Sequence, residues 1–423
     1  MTAVRMNSEN LTLSTLTSME DYDPNSMPVE QARQLIKQFL SPVTELQTIK
    51  VRDAFRRTLA ADVLSPMNVP PHDYSSMDGY AVRHADLSGS SNKLKKIGAA
   101  FAGHAFEGLL GAGECVRIMT GAMIPDGCDS VVMQEHVKAE GDEIEIGSGH
   151  KRGQNIRLLG EDIMQGAVVL ARGQLIGAAE MGLLASLGFA EIDVFRKLKI
   201  AIFSTGDELV QPGNPLASGQ IYDSNRYTLI GLLTGLGVEI IDMGNVRDDK
   251  ESLRTALLKA STEADVTISS GGASVGEADF IKALLDEIGE VVFWKLAMKP
   301  GRPMAYGKIG ACHFFGLPGN PVAVMVTFLQ FVRNALWVLM GQNPKPAFSF
   351  QALCTSPIKK APGRTEFQRG ILTQSDDGLW KVQTTGEQGS GILSSMSRAN
   401  CFIVLPVEQG NVEKGSVVQI QLF

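Results

Sequence analysis

Hydrophobic and polar positions change period several times along the chain, and each change marks a boundary. Residues 1–27 are mainly polar and read as a flexible N-terminus. Behind Pro28, Ala32, Leu35, Ile36, Phe39 and Leu40 recur at helical spacing, predicting a helix over 28–40. A second short helix is expected over 51–59, before Ser65-Pro66 and Val69-Pro70-Pro71 interrupt regular structure. Short apolar runs at 111–122, 130–135 and 143–146, separated by glycine and turn residues, predict a small β-rich domain over 65–162. Residues 165–170 and 177–187 read as strand and helix, closed by Gly188. They are expected to rejoin the first helices, so that 28–64 plus 163–196 form an N-terminal mixed domain and 65–162 is an insertion.

The period changes again near 197. Strand-like runs at 200–203, 238–243 and 266–268 alternate with helical patterns at 226–236 and 251–260, the first headed by Asp223-Ser224-Asn225. This alternation predicts a parallel α/β sheet over 197–343, with ligands beyond the strands' carboxyl ends. After Pro344-Lys345-Pro346, runs at 350–353, 367–372, 380–384, 401–406 and 416–423 predict an all-β, barrel-like domain over 344–423. The whole reads as a multidomain α/β protein.

The most informative stretch is 264–280, ADVTISSGGASVGEADF. A β-branched run ends in Ser269, Ser270, Gly271 and Gly272, and a helical pattern follows. A strand, a glycine turn and a helix offer backbone N–H groups to an anion, and glycine allows close approach. Glu277 and Asp279 would repel a phosphate unless a divalent cation lies between. Gly272-Ala273-Ser274-Val275-Gly276 also matches the G-x-S-x-G elbow of α/β hydrolases. That elbow needs its serine at the corner and a histidine downstream. The one later histidine is His313, in an apolar run where a core role is expected. Further on, Lys295, Lys299 and Arg302 sit among Trp294, Leu296, Met298, Pro300 and Pro303, and cations in a stiff apolar loop point to an oxyanion pocket.

Composition narrows the classes. A net charge of −7 argues against general nucleic-acid binding. Five cysteines without C-x-x-C spacing read as reduced core thiols, which fits a cytoplasmic protein. No G-x-x-x-x-G-K-[ST] is present, and the six histidines lack metal-ligand spacing. No run is read as long enough to span a membrane, and no signal-peptide pattern is seen.

Taken in order, SSMDGYAV, RIMTGA, GQNIRLLGED, STGDEL, TISSGGASVGEAD, KPGRP and GLPGNPV closely resemble the molybdopterin molybdotransferase family, bacterial MoeA and the gephyrin E domain. The resemblance runs from about residue 28 to the C-terminus. It implies a four-domain subunit with a MogA-like central domain, working as a homodimer with a composite site. The implied reaction inserts molybdenum from molybdate into adenylylated molybdopterin and releases AMP, with Mg2+ as cofactor. Asp248 and Asp279 would hold the Mg2+, with Glu208 nearby, and Ser269, Gly271 and Gly272 would present backbone to phosphate. Lys295, Lys299, Arg302, Arg364 and Ser390 would line the pterin-phosphate and molybdate pocket, with Pro318 and Pro321 shaping the loop behind it. Asp78, Thr120, Arg157 and Asp162 would reach the site from the partner subunit. The resemblance also suggests contact with a molybdopterin adenylyltransferase and with molybdoenzyme chaperones. Two positions depart from the family pattern: Arg302 replaces a lysine, and Ala323 a serine. The competing readings are the Ser274 hydrolase and a gephyrin-like binding scaffold. The scaffold is disfavoured because the extra domain and linker of gephyrin-type proteins are missing here.

Overall fold

Helix α1 (Val29–Gln38) starts directly after Pro28 and buries Val29, Ala32, Leu35 and Ile36. In the computed structural model, which describes residues 26–271, 278–343 and 346–423, this face joins the core of the α/β domain, with Leu198, Ile268, Trp294 and Phe331. Met27 ties it there: its N–H donates to the Lys295 carbonyl at 3.2 Å and its carbonyl accepts from Ala297 N–H at 2.8 Å. The helical stripe dictates that one face is buried but not against what, and α1 therefore lies apart from the mixed layer expected to contain it.

That layer forms around two antiparallel pairs, Leu46–Lys50 with Glu191–Phe195 and Val63–Leu64 with Val168–Leu170. Helix α2 (Ala178–Ser186) completes its core of Val51, Leu59, Ile176, Leu184 and Val194. The helix expected over 51–59 is only a 3-10 turn, Val51–Asp53. Arg56 adopts a positive φ of 59°, which ends any helix, and Leu59 N–H pairs across to the Gln174 carbonyl instead. The chain between the two halves forms a six-stranded sheet with strand order 130–133, 79–82, 114–118, 91–100, 143–147, 137–140. Side chains alternate between two cores, Val82, Leu94, Val132 and Ile146 on one face and Ala81, Val116, Ile118 and Val131 on the other.

The central sheet comprises β1 (Lys199–Thr205), β2 (Glu239–Val246), β3 (Val266–Ser270), β4 (Glu290–Lys295), β5 (Pro303–Ile309) and β6 (Cys312–Leu317) in the order β2-β1-β3-β6-β5-β4. β2, β1, β3 and β6 are parallel, whereas β5 runs opposite, antiparallel to both β6 and β4. The sheet is thus mixed, because Gly310 at φ 61° closes a tight hairpin between β5 and β6. Helices α3 (Ser224–Leu236), α4 (Lys250–Glu263) and α5 (Ala278–Ile288) connect the strands. Asp223 and Asp249 cap the first two by accepting from Arg226 and Ser252 N–H.

After β6 comes one apolar helical run, Pro321–Leu339, divided into α6 (Pro321–Thr327), a π-helical turn (Phe328–Val332) and α7 (Arg333–Leu339). At 19 residues it is, contrary to expectation, long and apolar enough to cross a membrane by length and composition. It is mostly buried, and Val324, Phe328, Val332 and Leu336 sit in the main core. The C-terminal strands close on themselves: Thr365–Gln374 pairs with both Trp380–Thr384 and Cys401–Leu405, and Ser349–Cys354 and Val417–Leu422 complete the circuit. This is the barrel-like domain that the strand pattern predicts. All five cysteines are free thiols, and all but Cys128 are buried.

Candidate functional site

β1, β3 and β6 end at the same edge, since Ser270 lies opposite both Ser204 and Leu317. Ser269 and Ser270 belong to the strand, not to a turn. Ser269 is buried and paired with Phe203 and Gly316, so its backbone is committed to the ladder and does not face a phosphate. The exit begins at Gly271, with φ 93° and so little room that a Cβ would stand 2.6 Å from the Thr205 carbonyl oxygen. Thr205 hydroxyl in turn donates to Asp248 Oδ1, at a long 3.4 Å. Gly271, Thr205 and half-buried Asp248 are therefore neighbours, and beside them the Ser270 hydroxyl is buried without a hydrogen-bond partner. Exposed Glu208 turns its carboxylate back over Gly206, where a Cβ would meet it at 2.7 Å. Gly272, Ser274 and Glu277 lie outside the described residues. Asp279 is the second residue of α5, but its side chain lies outside them too.

The cationic loop reaches the same edge. Pro318 follows β6 and is buried, and the Gly319 carbonyl accepts from Asn225 Nδ2 at 2.7 Å. Pro321 takes the first position of α6, and the Ser390 carbonyl accepts from Val322 N–H at 3.0 Å, placing Ser390 against that helix start. Gly301, at φ 94°, presses on α6: a Cβ there would lie 2.5 Å from Thr327 Oγ1 and 3.6 Å from the Ala323 carbonyl oxygen. Ala323 itself is 3 % exposed, beneath the loop rather than on its open side. Lys295 is half-buried opposite Pro303, whereas Lys299, Arg302 and Arg364 are exposed. Met298–Lys299 pairs in parallel with Thr365 and Glu366, which stitches this loop to the barrel beside Arg364.

A second cluster forms at one end of the inserted domain. Tyr74 and Ser75 pair with Arg157 and Ile156, and Gly121 N–H donates to the Ser75 carbonyl. Three separated motifs are thereby joined. Asp78 Oδ1 accepts from both Thr120 N–H (2.7 Å) and Thr120 hydroxyl (2.8 Å). These two bonds, with Arg117 adding a smaller attraction, hold its carboxyl below the usual carboxylate range although it is exposed. Arg157 and Asp162 are also exposed, and Asp162 N–H is fixed to the Val69 carbonyl. No hydrogen bond or ion pair among the described residues links the Asp78 cluster to the sheet edge of the same chain.

Three family models cover most of the chain: MoeA N-terminal region (domain I and II) over 27–188, probable molybdopterin binding domain over 201–337, and MoeA C-terminal region (domain IV) over 351–423. A molybdopterin molybdenumtransferase of Haemophilus influenzae is 46% identical over 399 residues, spanning 94% of this chain and 98% of that one. The chain belongs to the MoeA family. A gephyrin of Dictyostelium discoideum is 34% identical, and the match covers 94% of this chain but 62% of that protein. A solved MoeA protein from Pyrococcus horikoshii superposes with a TM-score of 0.82 at 29% identity, covering 94% of this chain and all of that one. Among the described residues of this MoeA-family chain, no relay for the hydrolase reading is seen. His313 pairs opposite Val266, four residues from Ser270, or ~13 Å along the strand at its usual rise. Its Nδ1 is hydrogen-bonded to the Tyr306 hydroxyl at 3.2 Å.

Three residues of this MoeA edge have contacts that the sequence does not single out. Thr205 connects Asp248 to Gly271, Asn225 fixes Gly319, and Glu366 faces Lys299. Thr205 stands out only as part of the polar STGDE loop and Asn225 only as part of a capping triplet, and nothing in local sequence marks Glu366, since its significance arises from a pairing between two domains. No three His, Cys, Asp or Glu side chains among the described residues gather as a metal-ligand set. A magnesium ion does not require one, because it keeps water and substrate oxygens and takes one or two carboxylates. Asp248, the orphaned Ser270 hydroxyl and the narrow cradle at Gly271 fit that pattern.

Proposed function

We propose that this protein is a molybdopterin molybdenumtransferase, using molybdate and adenylylated molybdopterin as substrates and releasing AMP. The observation that carries the reading is one sheet edge that bears Asp248, a glycine exit and the Lys299–Arg302 loop, in a chain with full-length MoeA relatives. Both substrates are anionic, so their approach needs offsetting charge. Lys299, Arg302 and Arg364 supply it from exposed positions, and Arg302 adds a planar fork that lysine lacks. The Gly271 backbone allows a phosphate to come close, and the Gly301 loop on α6 keeps the cations in place. A Mg2+ held by Asp248, with Asp279 and Glu208 as further oxygen donors, would screen the phosphoanhydride and stabilise departing AMP.

The working unit in this proposal is a homodimer. Asp78, Thr120 and Arg157 are exposed, Asp78 and Arg157 are charged, and no hydrogen bond or ion pair among the described residues links them to the edge of their own chain, which supports a role in the partner's site. The test is AMP release by purified protein with adenylylated molybdopterin, molybdate and Mg2+. Asp248→Ala should lower it ~100-fold or more, the scale of losing one placed electrostatic group. Full activity in that variant would remove the edge from the reaction.

A further inference from the structure

Glu366 is a buried carboxylate in a region otherwise organised to attract anions. It is 4 % exposed, yet it stands directly opposite Lys299 where the cationic loop pairs with the barrel. Lys299 Nζ lies 3.6 Å from Glu366 Oε1, and buried Gln368 donates to Oε2 at 2.8 Å. Thr365 N–H donates to the Ala297 carbonyl at 2.9 Å, fixing the register of the pairing. Lys360 is also close and buried. Burial lowers its pKa most, Glu366 and Glu408 oppose that, and Arg364 and Lys299 add to the lowering. Glu366 thus lies beside Lys299 and near Lys360, with Arg364 two residues before it and Glu408 as a second carboxylate near Lys360. Lys360 is already spent structurally, since its ammonium donates to the Gln409 carbonyl at 2.7 Å.

A carboxylate is costly to bury, and an apolar side chain would suit the barrel core better. What Glu366 adds is a fixed partner for one long, flexible lysine and one negative charge beneath an anion pocket. We propose that Glu366 is a positioning residue for the transfer reaction: it holds Lys299 in register with Arg364 and tempers the pocket's positive charge so that the bound oxyanion is not trapped. The inference rests on the function proposed above. It has a specific signature, because losing the charge should tighten anion binding while impairing turnover. A merely structural residue would weaken both.

The experiment compares full-length wild type, Glu366→Gln and Glu366→Asp. Molybdate binding is measured by calorimetry, and kcat and half-saturating molybdate by AMP release. Removing one charge several ångströms from a dianion should tighten molybdate binding about 3–10-fold. With Lys299 no longer held, kcat should fall about 10-fold. Glu366→Asp should return toward wild type in both. Unchanged or weaker molybdate binding in a folded Glu366→Gln protein overturns the proposal, as does unchanged kcat. Should that variant fail to fold, Lys299→Gln and the double variant Lys299→Gln/Glu366→Gln decide it. The double variant should bind molybdate more tightly than Lys299→Gln alone, and equal or weaker binding overturns the proposal. Wild type that binds molybdate but releases no AMP counts against the transfer reading while the binding comparison still judges Glu366. Wild type that binds no molybdate overturns both.

Discussion

Gly271 is the residue at which the central strand leaves the sheet, and two constraints meet there. Its φ of 93° and the 2.6 Å that would separate a Cβ from Thr205 oxygen both exclude a side chain. Gly271→Ala should cost ~1–3 kcal/mol of stability, measurable by urea unfolding, and should reduce AMP release beyond that loss by shifting Thr205 away from Asp248. His313 makes a different kind of prediction. Burial first, and Lys308 second, push its pKa down to about 4, with Asp265 opposing. The folded protein thus binds fewer protons than the unfolded chain between about pH 6.5 and 4. This stability is complete above about pH 6.5 and is lost as pH falls toward 4. Unfolding free energy of wild type should therefore fall more steeply across that window than that of His313→Phe, by up to about 1.4 kcal/mol per pH unit. Parallel slopes would show that His313 takes up its proton in the fold over the same pH range as in the unfolded chain, and would overturn this reading. Its core position was legible in advance from the apolar run around it. The strand membership of Ser269 was not, because a serine at a strand end and one in a turn look alike locally.

At the scale of elements, the start of α3 holds the edge in place. Asp223 accepts from Arg226 N–H at 3.2 Å, from Arg226 Nε at 3.0 Å and from the Ser204 hydroxyl at 3.0 Å. Arg226 completes the network through Asp242 at 2.6 Å. Removing one member of a buried ion pair leaves a desolvated charge, so Asp223→Ala should destabilise by ~3–5 kcal/mol. Asp223→Asn keeps the cap but not the charge and should cost about half as much. Equal unfolding midpoints for the two variants would show that the ion pair, not the cap, matters. Elements were easiest to foresee where one rule acted alone: α1 from its stripe, α3 from its cap, and the barrel strands from period 2. They were missed where tertiary structure decided. The helix expected over 51–59 gave way to the positive φ at Arg56, and the β5–β6 hairpin turned a sheet expected to be parallel into a mixed one.

At the scale of the whole molecule, two sets of functional groups come from separate parts of the sequence, and no hydrogen bond or ion pair among the described residues joins them within one chain. The segments that build them were readable from short motifs, whereas their separation emerges only from the packing of the inserted domain. The barrel is coupled to the edge through Lys299 and Glu366 and through Ser390 at the head of α6. A composite site across a two-fold dimer follows if the Asp78 cluster of one subunit completes the Asp248 edge of the other. The most direct measurement is AMP release from mixed variants. Asp78→Ala and Asp248→Ala proteins, each inactive alone, are combined, exchanged and assayed with adenylylated molybdopterin, molybdate and Mg2+. Random exchange makes half the dimers hybrids with one intact site of two, so about a quarter of wild-type activity should return. If exchanged dimers form and no activity returns, the Asp78 cluster and the Asp248 edge do not make one site across the dimer, and the account is wrong at its centre.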